Sequence, residues 1–472
     1  MTFPVLLQPL AVLLAATTLT ACTLGPDYRR PEVPMVAEFA HAEGWKPASP
    51  GDTLIRGTWW TLYGDPELDT LVARLNLDNQ SLAAAEAQYR QARALVRGSR
   101  AQLFPFVSGN AGYSRSGQSQ GAGTTAEGGA VSERFELGVN ASWEADLWGR
   151  LRRGLEADRA SAGASAADLA AVRLSLQAEL VQTYLQLRVL DVHQELLEQT
   201  LEAYRRTLRL TQNQYDAGIA RRSDVTQARA QLKTTEAQAI DLRWQRAQHE
   251  HAIAVLVGVP PAGFAIERRE ELPGMPLIPA GLPSELLERR PDVAAAERRV
   301  MVANAGIGVA QAAWFPDLVL SAGGGYADSS LANLISVPNR FWSLGPQLGL
   351  SLLDFGTRRA EVELAEARYD EVVAHYRQTV LDSLREVENY LVQIRVLQEE
   401  AAVQEEALQA AQESLRLMEN QYRAGIVDFL SVATLQTNAL DSERTNLMLL
   451  GNRLTASVLL IAALGGGWDA LD

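Results

Sequence analysis

A chain of 472 residues, 47% of them hydrophobic, is long enough to bury several cores, and length alone suggests two to four domains. Its formal charge of -14 leaves nothing to drive counterion release from a phosphate backbone and argues against a nucleic-acid partner. The one cysteine, Cys22, excludes an intramolecular disulfide framework, and the paired histidines His249 and His251 share no helix face, so neither a metal site nor a cofactor is expected.

Taken from the start, Leu10 to Leu19 is apolar, too short to cross a bilayer as a helix, and preceded by no Lys or Arg. Residues 1–21 read as an export signal. Its end, Leu19-Thr20-Ala21-Cys22, resembles the lipobox of bacterial lipoproteins, which implies acylation of Cys22 as the first mature residue. Thr23 in place of Asp behind it implies, by the same resemblance, sorting to the outer membrane. Residues 22–66, rich in Pro, Gly and Asp, read as an irregular arm laid along the body.

Residues 67–257 then follow one plan. A helix is expected from Glu67 to Ala101, and a β-hairpin over 104–146 with strands near Phe104–Tyr113 and Arg134–Ala145 around a Gly-rich loop, Gly117–Gly129. A helical run without Pro extends from Gly149 to Tyr215, its seam carried by Leu169, Val172, Leu176, Leu180, Tyr184, Leu187, Leu197, Leu201, Tyr204 and Leu208 at steps dominated by three and four. Gly218 stops it, and a returning helix is expected over Asp224–Val257, with Asp224 placed as N-cap. Residues 258–283, rich in Pro and Gly, form a mid-chain connection.

Residues 284–464 repeat the plan. A helix is expected from Ser284 to Ala313, a hairpin over 315–353 with a loop at Ala327–Asn339, a second long run from Gly356 to Tyr422, a stop at Gly425, and a return over Phe429–Leu464. The seam here includes Val373, Tyr376, Val380, Val387, Leu397, Leu408 and Tyr422. Gly465-Gly466-Gly467 opens the tail, 465–472, and lacks the Lys-Ser/Thr of a phosphate loop, so it reads as a helix C-cap. Asn213-Gln214-Tyr215-Asp216-Ala217-Gly218-Ile219 recurs as Asn420-Gln421-Tyr422-Arg423-Ala424-Gly425-Ile426 at an offset of 207, and Phe104-Pro105 recurs as Phe315-Pro316 at 211. Ordered matching of this kind marks an internal duplication. Each long run would be a rod of roughly 100 Å.

The strands alternate. Phe135, Leu137, Val139, Ala141 and Trp143 share one parity, as do Leu318, Leu320, Ala322 and Tyr326, and again Leu344, Leu348, Leu350 and Leu352. That is the length and pattern of a transmembrane barrel wall, with Trp143, Trp148, Phe341 and Phe355 near strand ends. Four strands enclose nothing, and open edges in lipid leave backbone groups unpaired, so closure requires several copies of the chain. Two ordinary hairpins in a soluble domain are the alternative. Glu136, Glu144, Asp146 and Asp354 are read as lumen-facing or rim polar groups rather than catalytic pairs, and no enzymatic machinery is expected.

Further motifs are Gly25-Pro26-Asp27-Tyr28, Trp59-Trp60 with Asp65-Pro66-Glu67-Leu68, Trp143-Glu144-Ala145-Asp146-Leu147-Trp148-Gly149-Arg150, Arg289-Arg290-Pro291-Asp292 and Ala463-Leu464-Gly465-Gly466-Gly467-Trp468. With them the chain resembles the outer membrane factor family, the TolC-like and OprM-like exit ducts, and within it the lipoprotein drug-efflux branch. The resemblance implies a fold that is mainly α with β, an internally duplicated long-helix α-barrel plus a transmembrane β-barrel, both completed by trimerisation. It also implies an equatorial belt made by the arm and the mid-chain connection. The function implied is a homotrimeric exit duct in the outer membrane of a Gram-negative bacterium, in contact with outer-membrane lipid and carrying drugs or other small amphipathic solutes. Its partners would be a periplasmic adaptor protein and an inner-membrane transporter, of RND type. A type I protein secretion duct and a structural periplasmic coiled-coil lipoprotein are the alternatives.

The resemblance places a periplasmic gate at the rod tips. Asp224 falls on a family acidic position, with Arg221 and Arg222 beside it as interchain salt-link candidates. In the second half the acidic positions read Ser431 and Thr434, leaving Asp428 as a replacement acid or Leu430 as an apolar constriction. Adaptor contact is expected around Tyr215, Gly218, Tyr422 and Gly425.

Overall fold

The computed structural model describes residues 23–33, 58–118, 130–276 and 290–466. Cys22 and the export signal, most of the arm, and the expected helix start at Ser284 lie outside the described residues. The elements run α1 (Pro66–Asp78), α2 (Gln80–Ala101), β1 (Phe106–Gln118), β2 (Ala130–Ala145), α3 (Arg150–Asp216), α4 (Arg222–Leu256), α5 (Pro291–Ala312), β3 (Asp317–Asp328), β4 (Arg340–Gly349), α6 (Thr357–Arg423) and α7 (Phe429–Ala463). The two rods, α3 and α6, are each 67 residues long, and the two returning helices, α4 and α7, are each 35. The duplication read from sequence thus reappears as equal element lengths.

The helix expected over Glu67–Ala101 is broken at Asn79, whose backbone is extended (φ -67°, ψ 123°). The Asn79 side chain replaces the lost helical partners: Oδ1 accepts from Leu82 N at 2.9 Å, and Nδ2 donates to the Leu256 carbonyl at 2.8 Å. A side chain that both caps the next helix and satisfies the end of a distant one favours the break over a continuous helix.

The chain divides into two compact units, each drawn from both halves of the duplication. The first comprises the described residues of Met1–Glu32, Gln88–Ala166 and Ala295–Tyr376. It holds a single antiparallel sheet in the order β1-β2-β3-β4, so the two hairpins are joined through β2 and β3 rather than standing apart. Register places Gly109, Val139, Gly324 and Trp342 in one row, and Ala111, Leu137, Tyr326 and Arg340 in the next row of the same parity. Val107, Val139, Trp342, Leu344 and Leu348, all of that parity, are exposed. The opposite parity carries Ser108, Asn110, Asn140, Ser142, Ser321, Ser343 and Gln347, with Asn140 Nδ2 donating to Asn110 Oδ1 at 2.9 Å. A sheet apolar on one face and polar on the other, open at β1 and β4, is a wall segment.

At the helix-proximal rim the acids expected to be polar rim groups are ion-paired: Glu144 with Arg150, Asp146 with Arg152, and Asp354 with Arg358. Of the aromatics placed near strand ends, Phe355 is fully exposed at φ 52°, whereas Trp148 stacks on Phe315 at 4.6 Å and donates to the Pro316 carbonyl.

The second unit holds the main core. Trp59, Trp60 and Tyr63 pack with Leu68, Leu71 and Leu75 of α1 against Leu180, Tyr184 and Leu187 of α3, Ile253 of α4, and Leu454 and Val458 of α7. Within this core lies a fully buried arginine. Arg188 donates to Asp191 at 3.0 Å, to the Glu267 carbonyl at 2.7 Å and to the Tyr184 hydroxyl at 3.0 Å, and it pairs with Glu67. Asp191 in turn accepts from Arg246 at 2.6 Å. These bonds fasten the connection after α4 to the rod, and each of the three guanidinium nitrogens of Arg188 has an acceptor.

Candidate functional site

The rods end in two copies of one turn. Gly218 N donates to the Tyr215 carbonyl at 2.9 Å and Ile219 N to the Gln214 carbonyl at 2.8 Å; in the second copy Gly425 N reaches Tyr422 at 3.0 Å and Ile426 N reaches Gln421 at 3.0 Å. This pair of bonds, with glycine at φ 76° and 73°, is the Schellman arrangement, in which the orphan carbonyls of the last turn are satisfied by amides just past it. The motif ordinarily packs the residue after the glycine against the helix. Here Gln stands where the apolar partner would be, and Ile219 and Ile426 remain 75% and 73% exposed.

The returning helices start differently in the two halves. Asp224, read from sequence as the N-cap, is instead the third residue of α4; Arg221 occupies the cap position, and its amide donates to Asp224 Oδ2 at 3.0 Å. In α7 the cap is Asp428, which accepts from Ser431 N at 3.0 Å and Ser431 Oγ at 2.7 Å. At the offset of 207, Arg221 matches Asp428 and Asp224 matches Ser431, so the acid moves from the third position to the cap and each helix start keeps one acid. The Ser431 hydroxyl and amide hold the Asp428 carboxyl below its ordinary range, and Arg221 adds to the effect. Arg222 and Leu430 are exposed, and Thr434 turns its hydroxyl back onto the Leu430 carbonyl at 2.9 Å.

Tyr422, expected at the docking surface, is buried at 6% exposure. Its hydroxyl is held by Thr211 at 2.9 Å and by Gln214 Oε1 at 2.8 Å, both on α3, and its ring meets Phe429 edge-on at 6.0 Å. Burial pushes the hydroxyl pKa up, Thr211 opposes this, and Asp224 adds to it. Its counterpart Tyr215 remains exposed. Around Tyr422 pack Ala228, Phe429, Val432 and Ala433, and one turn back buried Gln436 reaches Thr207 and Glu419, both at 3.4 Å.

Thr211, Gln214 and Gln436 were not singled out from the sequence. The signal available was a polar residue at a seam step: Thr211 follows Leu208 by three, and Gln436 interrupts the Phe429, Val432, Ala433, Leu440 stripe.

The family model described as outer membrane efflux protein matches the chain twice, over residues 71–259 and 282–466. The chain belongs to the outer membrane efflux protein family. It is 31% identical over 465 residues to a probable efflux pump outer membrane protein, TtgC, of Pseudomonas putida, covering 97% of this chain and 95% of that one. It is 33% identical over 475 residues to the pyoverdine export outer membrane protein OpmQ of Pseudomonas aeruginosa, covering 98% of each. The solved outer-membrane channel OprN superposes with a TM-score of 0.85 at 33% identity, covering 95% of this chain and all of that one.

The efflux protein is therefore an outer-membrane exit duct of TolC type, whose helical and β-barrels are completed by three copies of the chain. Its four strands are one third of a closed wall, which removes the edges left by β1 and β4. Members of the family serve as transport ducts in tripartite efflux systems and extend into the periplasm.

Proposed function

We propose that this duct passively conducts drugs or other small amphipathic solutes, handed to it by an RND-type inner-membrane transporter through a periplasmic adaptor, and that the two rod tips are both its gate and its docking end. The observation that carries the reading is the pair of matched turns presenting bare Ile219 and Ile426 beside charged helix starts, Arg221 to Asp224 and the cap Asp428. Apolar knobs at the free ends of helices are what a partner helix can cover. Asp224, Arg221, Arg222 and Asp428, with Leu430, Ser431 and Thr434, then ring the aperture in three copies, and Tyr422 holds α6 to α3 beneath it. Tyr215, Gly218 and Gly425 share the docking end.

Support for the cargo class comes from the relatives: TtgC is named as an efflux pump protein, ArpC of Pseudomonas putida as an antibiotic efflux pump protein, and CusC of Escherichia coli as a cation efflux protein. Similar chains with such different cargoes fit a duct whose selectivity lies with its inner-membrane partner. The arm, 22–66, and the connection, 258–283, serve as an equatorial belt, and Cys22 carries the lipid anchor.

Two experiments test the reading. Asp224→Ala should raise ion conductance of the isolated trimer in a planar bilayer; unchanged conductance and selectivity would reject the gating role. Ile219→Cys and Ile426→Cys should crosslink to the adaptor during pump assembly, and failure of both would reject the docking role.

A further inference from the structure

The residues directly behind Cys22 do not trail from the protein; they are held in a built seat within the sheet-bearing unit. Leu24 N donates to the Trp148 carbonyl at 3.1 Å, just past the end of β2. Arg153, on the first turn of α3, is only 4% exposed and spends its guanidinium on this segment: Nε to the Leu24 carbonyl at 3.0 Å, Nη2 to the Gly25 carbonyl and to Asp27 Oδ1, both at 3.1 Å, and Nη1 to Glu156 at 2.8 Å. Asn304 Nδ2 reaches the Pro26 carbonyl at 2.9 Å, and Glu297 takes both the Tyr28 hydroxyl and Arg30.

The backbones meet so closely that side chains are excluded. A Cβ on Gly25, at φ 94°, would stand 2.4 Å from Gly308 Cα, and one on Gly308 would stand 2.7 Å from the Leu24 carbonyl and 2.9 Å from Arg153 Cγ. The duplication supplies an independent observation. At an offset of 207 the counterpart of Arg153 is Ala360, and at 211 the counterpart of Gly308 is Arg97. Neither the arginine nor the glycine recurs at the equivalent positions on α6 and α2, whereas the turn glycines Gly149 and Gly356 are kept in both halves.

We propose that Arg153, with the Gly25–Gly308 contact, is the positioning residue that docks the segment behind Cys22 onto the base of the sheet and so fixes where the lipid anchor leaves the protein. This rests on the reading of Cys22 as acylated. A bidentate fork that reads two successive carbonyls suits arginine and not lysine, whose single ammonium cannot span both.

Full-length trimers extracted from outer membranes provide the test, with trypsin as the probe. Arg29 is exposed, and the Arg30–Pro31 bond resists trypsin, so cutting between Arg29 and Arg30 requires the seated segment to open and leaves a chain beginning at Arg30. Arg153→Ala and Gly308→Leu should each speed the appearance of that chain by about tenfold or more, Arg153→Lys by less, with heat-modifiable trimer migration unchanged. Wild-type cutting rates in Arg153→Ala and Gly308→Leu overturn the proposal. So does faster cutting accompanied by loss of the trimer, which would make Arg153 a general folding residue. The mass of the N-terminal peptide separates the premise from the seat: a wild-type peptide without acyl mass removes the anchor reading, whatever the cutting rates show.

Discussion

The Tyr422 hydroxyl stands 2.9 Å from the Thr211 hydroxyl, joining the last turn of α6 to α3 within one chain. Both side chains are buried, Thr211 at 0% and Tyr422 at 6% exposure, so no water replaces the bond if it is broken at this site. Tyr422→Phe keeps the ring against Phe429 and deletes only the hydroxyl. The expected cost is about 1–2 kcal/mol of local stability. It should appear as faster amide exchange in the last turn of α6 and as higher conductance of the isolated channel; wild-type exchange would show that the ring alone holds the tip.

Asn79 supplies two buried hydrogen bonds, one at each end of its amide, at the break between α1 and α2. Asn79→Ala should lower stability by about 2–3 kcal/mol, since it removes a cap and strands the Leu256 carbonyl. Thermal unfolding followed by circular dichroism measures it. Asn79→Asp, which keeps the cap acceptor but loses the donor, should fall between the two.

Arg188 neutralises the half-buried Glu67 and the fully buried Asp191, which is at 0% exposure. Removing one partner of a buried pair leaves the other charge uncompensated, so Arg188→Ala should cost about 3–5 kcal/mol. Arg246 still reaches Asp191 and Arg269 still reaches Glu67, so adding Glu67→Gln to Arg188→Ala should recover only a small part of the loss, a coupling that a double-mutant cycle reads directly.

His193 on α3 has a buried Nε2 without a hydrogen-bond partner among the described residues. Burial first, and then Arg444 on α7, hold its pKa below the ordinary value of 6.5. The imidazole thus stays neutral in the folded chain at pH values where the unfolded chain binds a proton. Stability should fall as pH drops through about 6.5 towards the folded value and should be unaffected by His193 above that range. Denaturant titrations at pH 7.5 and 5.5 should show this slope, and His193→Gln should flatten it.

The rods, their returns and their stops were legible because each rests on a local rule. A three-four seam without Pro gave α3 and α6 to within one residue at each end, and the tip glycines carried their own sign in the repeated Tyr-x-Ala-Gly-Ile. The break at Asn79 was not legible, because its decisive partner, the Leu256 carbonyl, lies 177 residues away and no local pattern announces it. The same is true of Tyr422. Its repeat partner Tyr215 is identical and exposed, and only the three-dimensional proximity of Thr211 and Gln214 turns one copy inward. Asp224 was placed correctly at a helix start but three positions too early in the helix, since an arginine at the cap position gives no side-chain signal. The seat around Arg153 was invisible in sequence except as an absence, since neither Arg153 nor Gly308 recurs at its counterpart, Ala360 or Arg97.

The open edges of β1 and β4 reach beyond the single molecule into genetics. A chain whose outermost strand cannot pair would spoil every assembly it enters. In a cell making such chains and normal ones in equal amounts, only about one assembly in eight would be free of the defect. Lesions in those two strands should therefore behave as dominant, whereas lesions that unfold the chain before it meets its neighbours should be recessive.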